Sequence, residues 1–368
     1  MIIKYPDYNN SIVNIACSVL KHYGAEPKHP TLPLFDDLLE KNYKNVVIMV
    51  FDGLGMDTLE HHLKKDSFLR SHSRTGISSV FPPTTTAATT SLESGLTPIE
   101  HGWLGWCLYF REIDEIVNIF KNTLKDSSEI AADYHVADKI ISYKNIFDKI
   151  NEAGNARAYC VSPFGTNRVS SLDEMFEEAK RLCNQDGRKY IYTYSEEPDA
   201  LMHMNGCYSS AVSSLIENID KTVEAFCNEL TDTLVIITAD HGHINMNYKV
   251  VSDYPELFEM LERPTTIESR ATCFYVKQEY RDQFADEFYK IFGDDFLLFT
   301  RKEVLEHKLF GEGIQHPKFE EFIGDFLAIA IADKGIAYSH ASKQFVSNHA
   351  GMTECEMMVP FISVEMKG

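Results

Sequence analysis

Three continuous apolar runs, each leading to an aspartate, constrain this chain more than any other feature of its sequence. The runs are NVVIMVFDG (45–53), KYIYTYS (189–195), which is followed by Asp199, and TLVIITADHG (233–242). Such β-branched and aromatic runs are typical of strands that are buried on both faces. Segments with helical spacing lie between them, at about 55–64, 86–94, 171–184 and 208–229. This alternation predicts an α/β fold with a mainly parallel central sheet and helices on both faces.

The stretch from about 254 to 340 has a different pattern. Short strand-like pieces (ATCFYVK, FLLFTRK and DFLAIAIAD) are separated there by polar or helical segments. A chain of 368 residues is expected to form about two domains. We therefore predict a core made of 1–253 and 341–368, and a small α+β cap inserted at 254–340.

Charge and composition exclude several classes of protein. The chain has 35 Lys and Arg against 55 Asp and Glu, a net charge of −20, whereas binding of a nucleic-acid polymer needs a basic surface. No apolar run approaches the roughly 18 residues of a membrane span, and the first residues do not resemble a signal peptide. The 8 cysteines are scattered, without a C-x-x-C pair. We expect reduced thiols, a cytoplasmic location and no membrane partner; the sequence does not give the oligomeric state.

The aspartates at the strand ends should lie close together. Open parallel sheets place their ligand sites at the carboxyl edge of the strands, where Asp52, Asp199 and Asp240 are expected. A single aspartate at such a position is usually a turn or helix-cap residue. Three of them with histidines attached are harder to explain in that way: His203 follows Asp199 by one helical turn, and His241 follows Asp240 directly.

Three neighbouring carboxylates predict bound cations, because without cations they would repel one another strongly. A mixed set of carboxylates and imidazoles suits zinc, with manganese or iron as alternatives. His349, in the loop SNHAGM, adds a sixth candidate ligand. Six ligands divide into two groups of three, and each group leaves open coordination positions, as catalytic metal sites do.

The segment VFPPTTTAATTSLESG (80–95) is rich in hydroxyl groups. Pro-Pro should end the preceding strand, the threonines should open a helix, and Gly95 suits its C-terminal cap. Most of these hydroxyls are expected to serve as caps. A hydroxyl at a helix N-terminus beside a metal is also a candidate nucleophile, because the free backbone N–H groups can hold an anion.

Five motifs together resemble a known family. In order, FDG (51–53), FPPTTTAATTSLESGLTPIEHG (81–102), PDALMH (198–203), TADHG (238–242) and NHAGMTECEMMVPF (348–361) resemble the alkaline phosphatase superfamily. Within it they are most similar to the nucleotide pyrophosphatase/phosphodiesterase branch. The resemblance covers residues from about 45 to 364, except for the predicted insertion. It implies an alkaline-phosphatase-like three-layer sandwich that hydrolyses small phosphate esters with two divalent metal ions.

The resemblance also implies roles for individual residues. Two groups would each bind one metal ion: Asp52, Asp240 and His241 in one, and Asp199, His203 and His349 in the other. His101 and His243 do not match ligand positions of the family, so we expect them to orient other residues or to be structural.

The nucleophile is implied by the same resemblance. In that branch the nucleophilic threonine lies ten residues before the glycine of a Thr-Gly pair. The corresponding pair here is Ser94-Gly95, which selects Thr85 as the nucleophile and as a further metal ligand. A covalent phospho- or nucleotidyl-threonine would form and then be hydrolysed by water.

One position departs from the family. The branch has a phosphoryl-binding Asn twenty-one residues after the nucleophile, and this chain has Trp106 there. Together with Trp103 and Tyr109, Trp106 is a candidate wall for binding an aromatic substituent of the substrate; ordinary packing is the alternative. Because no Lys or Arg occurs from Ser78 to Tyr109, we expect a diester to be preferred over a monoester dianion.

Other functions stay open from the sequence. A non-enzymatic binding protein would be expected to have lost ligands, whereas all six are present here. A phosphomonoesterase or a phosphonate hydrolase of the superfamily would use the same metal ions with a different pocket. A cofactor-independent phosphomutase, which typically has a Ser nucleophile and two manganese ions, agrees less well with the threonine motif.

Overall fold

A computed structural model describes residues 1–367. Its strands are β1 (Asn45–Phe51), β2 (Ser73–Ser78), β3 (Cys107–Phe110), β4 (Glu115–Asn118), β5 (Thr123–Leu124), β6 (Arg157–Ser162), β7 (Asn167–Arg168), β8 (Lys189–Ser195), β9 (Thr233–Thr238), β10 (Ile244–Asn245), β11 (Asn247–Val250), β12 (Thr266–Ile267), β13 (Ala271–Phe274), β14 (Phe296–Thr300), β15 (Phe326–Ala330), β16 (Lys334–Ala337), β17 (Ser347–Asn348) and β18 (Met358–Met366).

The α-helices are α1 (Ile12–His22), α2 (Pro33–Leu39), α3 (Met56–His62), α4 (Phe68–Ser71), α5 (Thr85–Ser94), α6 (Pro98–His101), α7 (Val136–Ile140), α8 (Ile146–Ala153), α9 (Leu172–Cys183), α10 (Asp199–Asn205), α11 (Ser210–Asn228), α12 (Pro255–Glu259), α13 (Arg281–Phe292), α14 (Arg301–Glu306), α15 (Phe319–Phe322) and α16 (Glu354–Met357). Short 3₁₀ helices cover Val251–Asp253, Gln278–Tyr280 and Gly293–Asp295.

The central sheet has seven strands within residues 1–367, in the order β2-β18-β9-β1-β8-β6-β7. Strand β1 pairs in parallel with β8 and β9, and β18 runs antiparallel to both of its neighbours. Every residue of β1, β8 and β9 is buried, as the three apolar runs predict. Helices α1, α5 and α8 pack together in one layer and α3, α4 and α11 in another. The predicted fold class, an alkaline-phosphatase-like three-layer α/β sandwich, is confirmed.

A second sheet has the order β14-β15-β13-β12-β3-β4-β5 and is antiparallel throughout. Four of its strands lie in the region 254–340, where the sequence predicts an inserted α+β unit. The other three come from 107–124 and join this sheet through the pairing of Ile267 with Cys107. The boundaries of a core (1–253 and 341–368) and of a cap (254–340) stay a prediction.

The structure also bears on two expectations from composition, the reduced state of the cysteines and the lack of a membrane-spanning segment. All eight cysteines are free thiols, and seven of them are buried. None of the helices in the described part of the chain combines the length and the apolar character that crossing a bilayer requires.

A buried ion pair connects the second sheet to the loop that carries His349. The guanidinium of Arg270, just before β13, donates to both carboxylate oxygens of Glu356 over 2.6 and 2.7 Å. Both side chains are fully buried. The Glu356 carboxylate also accepts from Gly351 N (2.7 Å) and from Thr353 Oγ1 (2.6 Å). The pair therefore holds the segment after His349 in a fixed position.

Replacing Glu356 with Gln should strongly destabilise the protein. The change leaves the buried Arg270 charge without a countercharge, which costs about 3–5 kcal/mol. Urea unfolding measures this free energy directly. Glu152, in an exposed pair with Lys144, gives the control, since Glu152→Gln should cost less than about 1 kcal/mol. Equal losses in both variants would show that the buried pair has no special role.

Candidate metal centre and active site

The three aspartates lie at one edge of the central sheet because β1 is the parallel neighbour of both β8 and β9. Asp52 follows β1, Asp240 lies just beyond β9, and Asp199 opens α10 after β8. The backbone joins these positions: Asp52 N donates to Ser195 O, and Asp199 N donates to Asp52 O, each over 3.0 Å. The carboxylates are buried, with at most 9% of each residue exposed.

Two glycines allow the chain to approach closely around these aspartates. Gly53 has φ +74°, in the left-handed region that glycine adopts without strain, and its N–H donates to Asp240 Oδ1 over 3.1 Å. A Cβ on Gly242 would lie 1.9 Å from the carbonyl oxygen of Cys355, a distance that no side chain can occupy. Steric constraints thus explain why glycine occupies these positions in the FDG and DHG motifs.

Thr85 lies beside the first predicted ligand group. His241 Nε2 lies 3.2 Å from Asp52 Oδ1 and 3.4 Å from Asp240 Oδ2. Thr85 Oγ1 is 3.3 Å from Asp52 Oδ2 and 3.2 Å from His241 Nε2. Thr85 is the first residue of α5, with Thr84 at the N-cap and Gly95 at the C-terminal cap with φ +69°, as the sequence predicts.

The second group surrounds Asp199. Its Oδ2 lies 3.2 Å from His203 Nε2, and its Oδ1 lies 3.8 Å from His349 Nε2. His243 is also present, with Nε2 2.9 Å from Asp199 Oδ1. Ligand atoms of Asp199, His203, His243 and His349 all lie within 4.8 Å of one another, and so do those of Asp52, Asp199 and His241. Asp199 is therefore common to both clusters.

Backbone contacts orient the imidazoles of all three predicted histidine ligands. The Nδ1 atom of His241 faces Gly242 O at 3.0 Å. The same atom of His203 faces Ser347 O at 2.8 Å, and that of His349 faces Pro83 O at 3.1 Å. A carbonyl accepts only from an N–H, so each Nδ1 carries a proton and each Nε2 faces the cluster.

Burial and charge strongly perturb the acids of this site. Desolvation, together with repulsion from neighbouring carboxylates, raises the pKa of Asp52 and Asp240. Burial acts in the same direction on Asp199, but the imidazoles of His203 and His243 outweigh it and lower the pKa of Asp199 well below its usual range. The site thus concentrates negative charge that protein groups offset only in part.

The donor set fits divalent metal ions. Asp52 Oδ1, Asp199 Oδ1 and Asp240 Oδ2 are buried and accept no hydrogen bond among the described residues, so each has a lone pair free for a cation. Donors bound tetrahedrally to zinc at about 2.0–2.1 Å lie about 3.3 Å apart. The separations around His241 Nε2, from 3.2 to 3.4 Å, match that value.

The three residues of the candidate aromatic wall lie in different environments. Trp106 is 37% exposed, with the Phe120 ring edge-on at 6.3 Å. Trp103 is buried, and its indole N–H donates to Ile141 O over 2.8 Å. Tyr109 is also buried and donates to Asp114 Oδ1. Trp103 and Tyr109 therefore pack within the protein, and Trp106 alone of the three presents a large surface to solvent.

Sequence reasoning missed one charged group beside Thr85. Glu268 Oε1 accepts from Thr84 Oγ1 over 2.6 Å and from the backbone N–H of Trp106 over 2.7 Å. No motif marks Glu268, because its position depends on how the second sheet packs against the core. His243 did carry a signal, the DHGH spacing, but a second histidine beside a ligand pair is often structural.

His101 lies away from the ligand clusters. Its Nε2 faces Ser91 Oγ at 3.1 Å, and its Nδ1 accepts from Trp103 N over 3.0 Å. These contacts satisfy both ring nitrogens and connect α5 to the following loop. Burial lowers the pKa of His101 to about 3, so the ring is neutral at physiological pH.

Comparison with known protein families assigns the chain to one of them. The model of the family of type I phosphodiesterases and nucleotide pyrophosphatases matches residues 46–350. The chain belongs to this family. It is accordingly a phosphoric ester hydrolase, of a family that uses divalent metal ions. No curated protein sequence matched the chain.

Solved structures agree on the fold. Murine ectonucleotide pyrophosphatase/phosphodiesterase 5 is 16% identical, with a TM-score of 0.67 and 88% of each chain covered. Its human counterpart is 15% identical, with a TM-score of 0.66, covering 88% of this chain and 87% of its own. Phosphonoacetate hydrolase from Sinorhizobium meliloti 1021, in complex with phosphonoformate, is 16% identical with a TM-score of 0.63, covering 86% and 89%.

The structure brings all six predicted ligands and Thr85 together at one sheet edge. Their roles as ligands and nucleophile stay predictions. So does the assignment of Trp106 to substrate binding.

Purified protein should contain about two divalent transition-metal ions per chain, as a two-metal site requires. Chelation should abolish activity and lower the melting temperature, because a ligand that binds only the native state stabilises it. Asp199→Asn should lose more metal than Asp52→Asn, since Asp199 belongs to both clusters. Elemental analysis after dialysis measures this. Full activity in metal-free protein would contradict the metal site altogether.

Proposed function

We propose that this enzyme hydrolyses phosphodiesters of small molecules, including nucleotide diesters, through a covalent intermediate on Thr85. The observation that carries the proposal is the position of Thr85 Oγ1, within 3.3 Å of both Asp52 and His241 at the start of α5. The first backbone N–H groups of a helix have no intrahelical partner. They favour an anion at that end, so the hydroxyl and an anion site occur together.

The residues would hold two ions in the groups named above. Asp52, Asp240, His241 and Thr85 would hold one ion, and Asp199, His203 and His349 would hold the other. Zinc agrees with the donor types and separations. Two such ions lower the pKa of a bound hydroxyl and offset charge on the attacking and leaving oxygens.

Two displacements at phosphorus complete the reaction. Thr85 Oγ1, having lost its proton to solvent, attacks phosphorus; the Oγ1–P bond forms while the bond to the leaving oxygen breaks. The leaving alkoxide takes a proton from water and departs as an alcohol. A water molecule then loses a proton to solvent and attacks phosphorus on the opposite side from Oγ1. The Oγ1–P bond breaks, Oγ1 takes a proton from solvent, and a phosphomonoester is released. The α5 N-terminus holds the nonbridging oxygens through both steps.

The preference for a diester rests on where the cationic side chains point. The Arg270 guanidinium is fully engaged by Glu356 and by the carbonyls of Ala332 and Lys334. Arg263 lies 3.8 Å from the Tyr109 ring and donates to Glu262. Arg263 and Arg270, the two arginines nearest to Glu268 in the sequence, are therefore engaged by other groups.

An exposed aromatic surface would favour the second substituent of a diester. Trp106 presents such a surface beside Phe120. Burial of apolar area stabilises a bound substituent by about 25 cal/mol per Å². A monoester has no second substituent to use this contribution.

Thr85→Ala should abolish turnover while metal content persists, because only the attacking oxygen is removed from the site. Thr86→Ala is the matched control: Thr86 is buried and its hydroxyl has no hydrogen-bond partner among residues 1–367, so we expect most activity to remain. Rates on an aryl phosphodiester, with elemental analysis of each variant, measure both effects. Retained turnover in Thr85→Ala, or a dead Thr86→Ala protein with normal metal content, would overturn the assignment of the nucleophile.

A further inference from the structure

The segment that carries Glu268 is held in an unusual backbone conformation. Ile267 has φ +71°, a value that costs free energy for a β-branched residue and is found where surrounding packing imposes it. Its side chain is fully buried. Gly105 makes room for it, because a Cβ at Gly105 would lie 2.7 Å from Ile267 Cγ2. The packing of Ile267 against Gly105 therefore fixes the direction in which Glu268 leaves the strand.

The Glu268 carboxylate contacts the residue that precedes the nucleophile and the backbone at position 106. Its Oε1 accepts from the hydroxyl of Thr84, the residue before Thr85, and from the backbone N–H of Trp106, the position that corresponds to that Asn. In the described residues, no group donates a hydrogen bond to Oε2, and no Lys or Arg pairs with the carboxylate. Two neutral donors thus hold an uncompensated acid at the site.

The charge of Glu268 interacts with the rest of the active site. Burial raises the pKa of Glu268 to about 6. The hydrogen bonds from Thr84 and Trp106 oppose this rise, and the imidazoles of His203 and His241 oppose it further. A carboxyl with this pKa is ionised at neutral pH. Solvent and salt screen charges less in a partly buried site than at the surface, so like charges at short range repel one another there.

We propose that Glu268 is a specificity-determining residue that selects monoanionic phosphodiesters by repelling substrates with additional negative charge. This inference rests on the proposed function and names its substrate class. A phosphomonoester dianion brings a second charge to the phosphoryl group, and a carboxylated phosphonate brings one more. The fixed carboxylate of Glu268 repels the additional charge of both substrates, whereas a diester brings a single charge and an uncharged substituent.

Glu268→Gln tests this inference with little change in shape. The amide oxygen of Gln can still accept from Thr84 and Trp106, but the charge is gone. We expect kcat/KM for an aryl phosphomonoester to rise about tenfold or more, equivalent to about 1.4 kcal/mol, while kcat/KM for the matching bis-aryl diester changes little. Glu279→Gln, which changes an exposed acid of the 254–340 region, is the control and should leave the ratio unchanged.

The outcomes separate this inference from the proposed function. If wild-type protein hydrolyses diesters and Glu268→Gln leaves the diester-to-monoester ratio unchanged, the specificity role is wrong and the function stands. If both substrates lose activity together in Glu268→Gln, Glu268 is structural and the inference fails. If the wild-type protein prefers the monoester, the proposed function itself fails.

A second, independent observation concerns His243. It is fully buried, and its Nδ1 lies 3.8 Å from Cys207 Sγ. Its Nε2 lies 2.9 Å from Asp199 Oδ1, and neither atom has a hydrogen-bond partner of good geometry among residues 1–367. The ring therefore repeats the arrangement of His203 and His349: Nδ1 faces a structural contact, and Nε2 faces the cluster.

We infer that His243 is a fourth protein ligand of the ion held by Asp199, His203 and His349. Ring centroids of His203 and His349 lie 4.6 and 5.4 Å from that of His243, which agrees with imidazoles around one ion. The inferred ligand class is a divalent transition-metal ion, and the added ligand would tighten its binding.

Cobalt(II)-substituted protein tests this inference without activity measurements. Each imidazole bound through Nε2 gives one exchangeable, strongly shifted Nδ1 proton signal in the proton NMR spectrum. Wild-type protein should show four such signals, from His203, His241, His243 and His349, and His243→Gln should show three. Three signals in the wild-type protein would mean that His243 is not a ligand, whether or not the variant folds.

Discussion

The structure depends on the burial of three aspartates at one edge of a parallel sheet. Asp52, Asp199 and Asp240 are almost fully removed from water, although ionised carboxylates are among the most costly groups to bury. Their mutual repulsion adds to this cost. The donors around them compensate only in part, since one oxygen of each acid accepts no hydrogen bond from the described part of the chain. Cations at this edge are the physical requirement from which the site's chemistry follows.

The surrounding structure holds this charge cluster in place. The Gly242 backbone passes close to that of Cys355, and the carboxylate of the neighbouring Glu356 is fixed by buried Arg270. Through this pair, the segment that follows His349 is connected to the second sheet. The same sheet carries Glu268 to the N-terminus of α5. The region that the sequence identifies as an insertion thus contributes to the site itself.

Much of the core was predictable from the sequence because its signals are local. The runs that become β1, β8 and β9 are apolar along their whole length, and each identifies the aspartate that follows it. Asp199 and His203 were predictable as a pair because a single helical turn relates them. Thr85 was selected by its spacing from Gly95, and the structure places that residue first in α5.

Other features depend on tertiary packing and left no local signal. The strands within 107–124 join the second sheet through one residue pair, Ile267 with Cys107, which no pattern in either segment indicates. The approach of Glu268 to Thr84 depends on the left-handed conformation of Ile267, which a β-branched residue rarely adopts. His243 had a visible motif, but only the direction of its ring nitrogens distinguishes a ligand from a structural histidine.

The stereochemical course at phosphorus tests the central claim, a covalent intermediate on Thr85, most directly. A phosphodiester made chiral with sulfur would be hydrolysed in ¹⁸O-labelled water, and the configuration of the phosphorothioate product would be determined. Two successive in-line displacements, first by Thr85 and then by water, predict net retention of configuration. Net inversion would show that water attacks the substrate directly and would contradict the account.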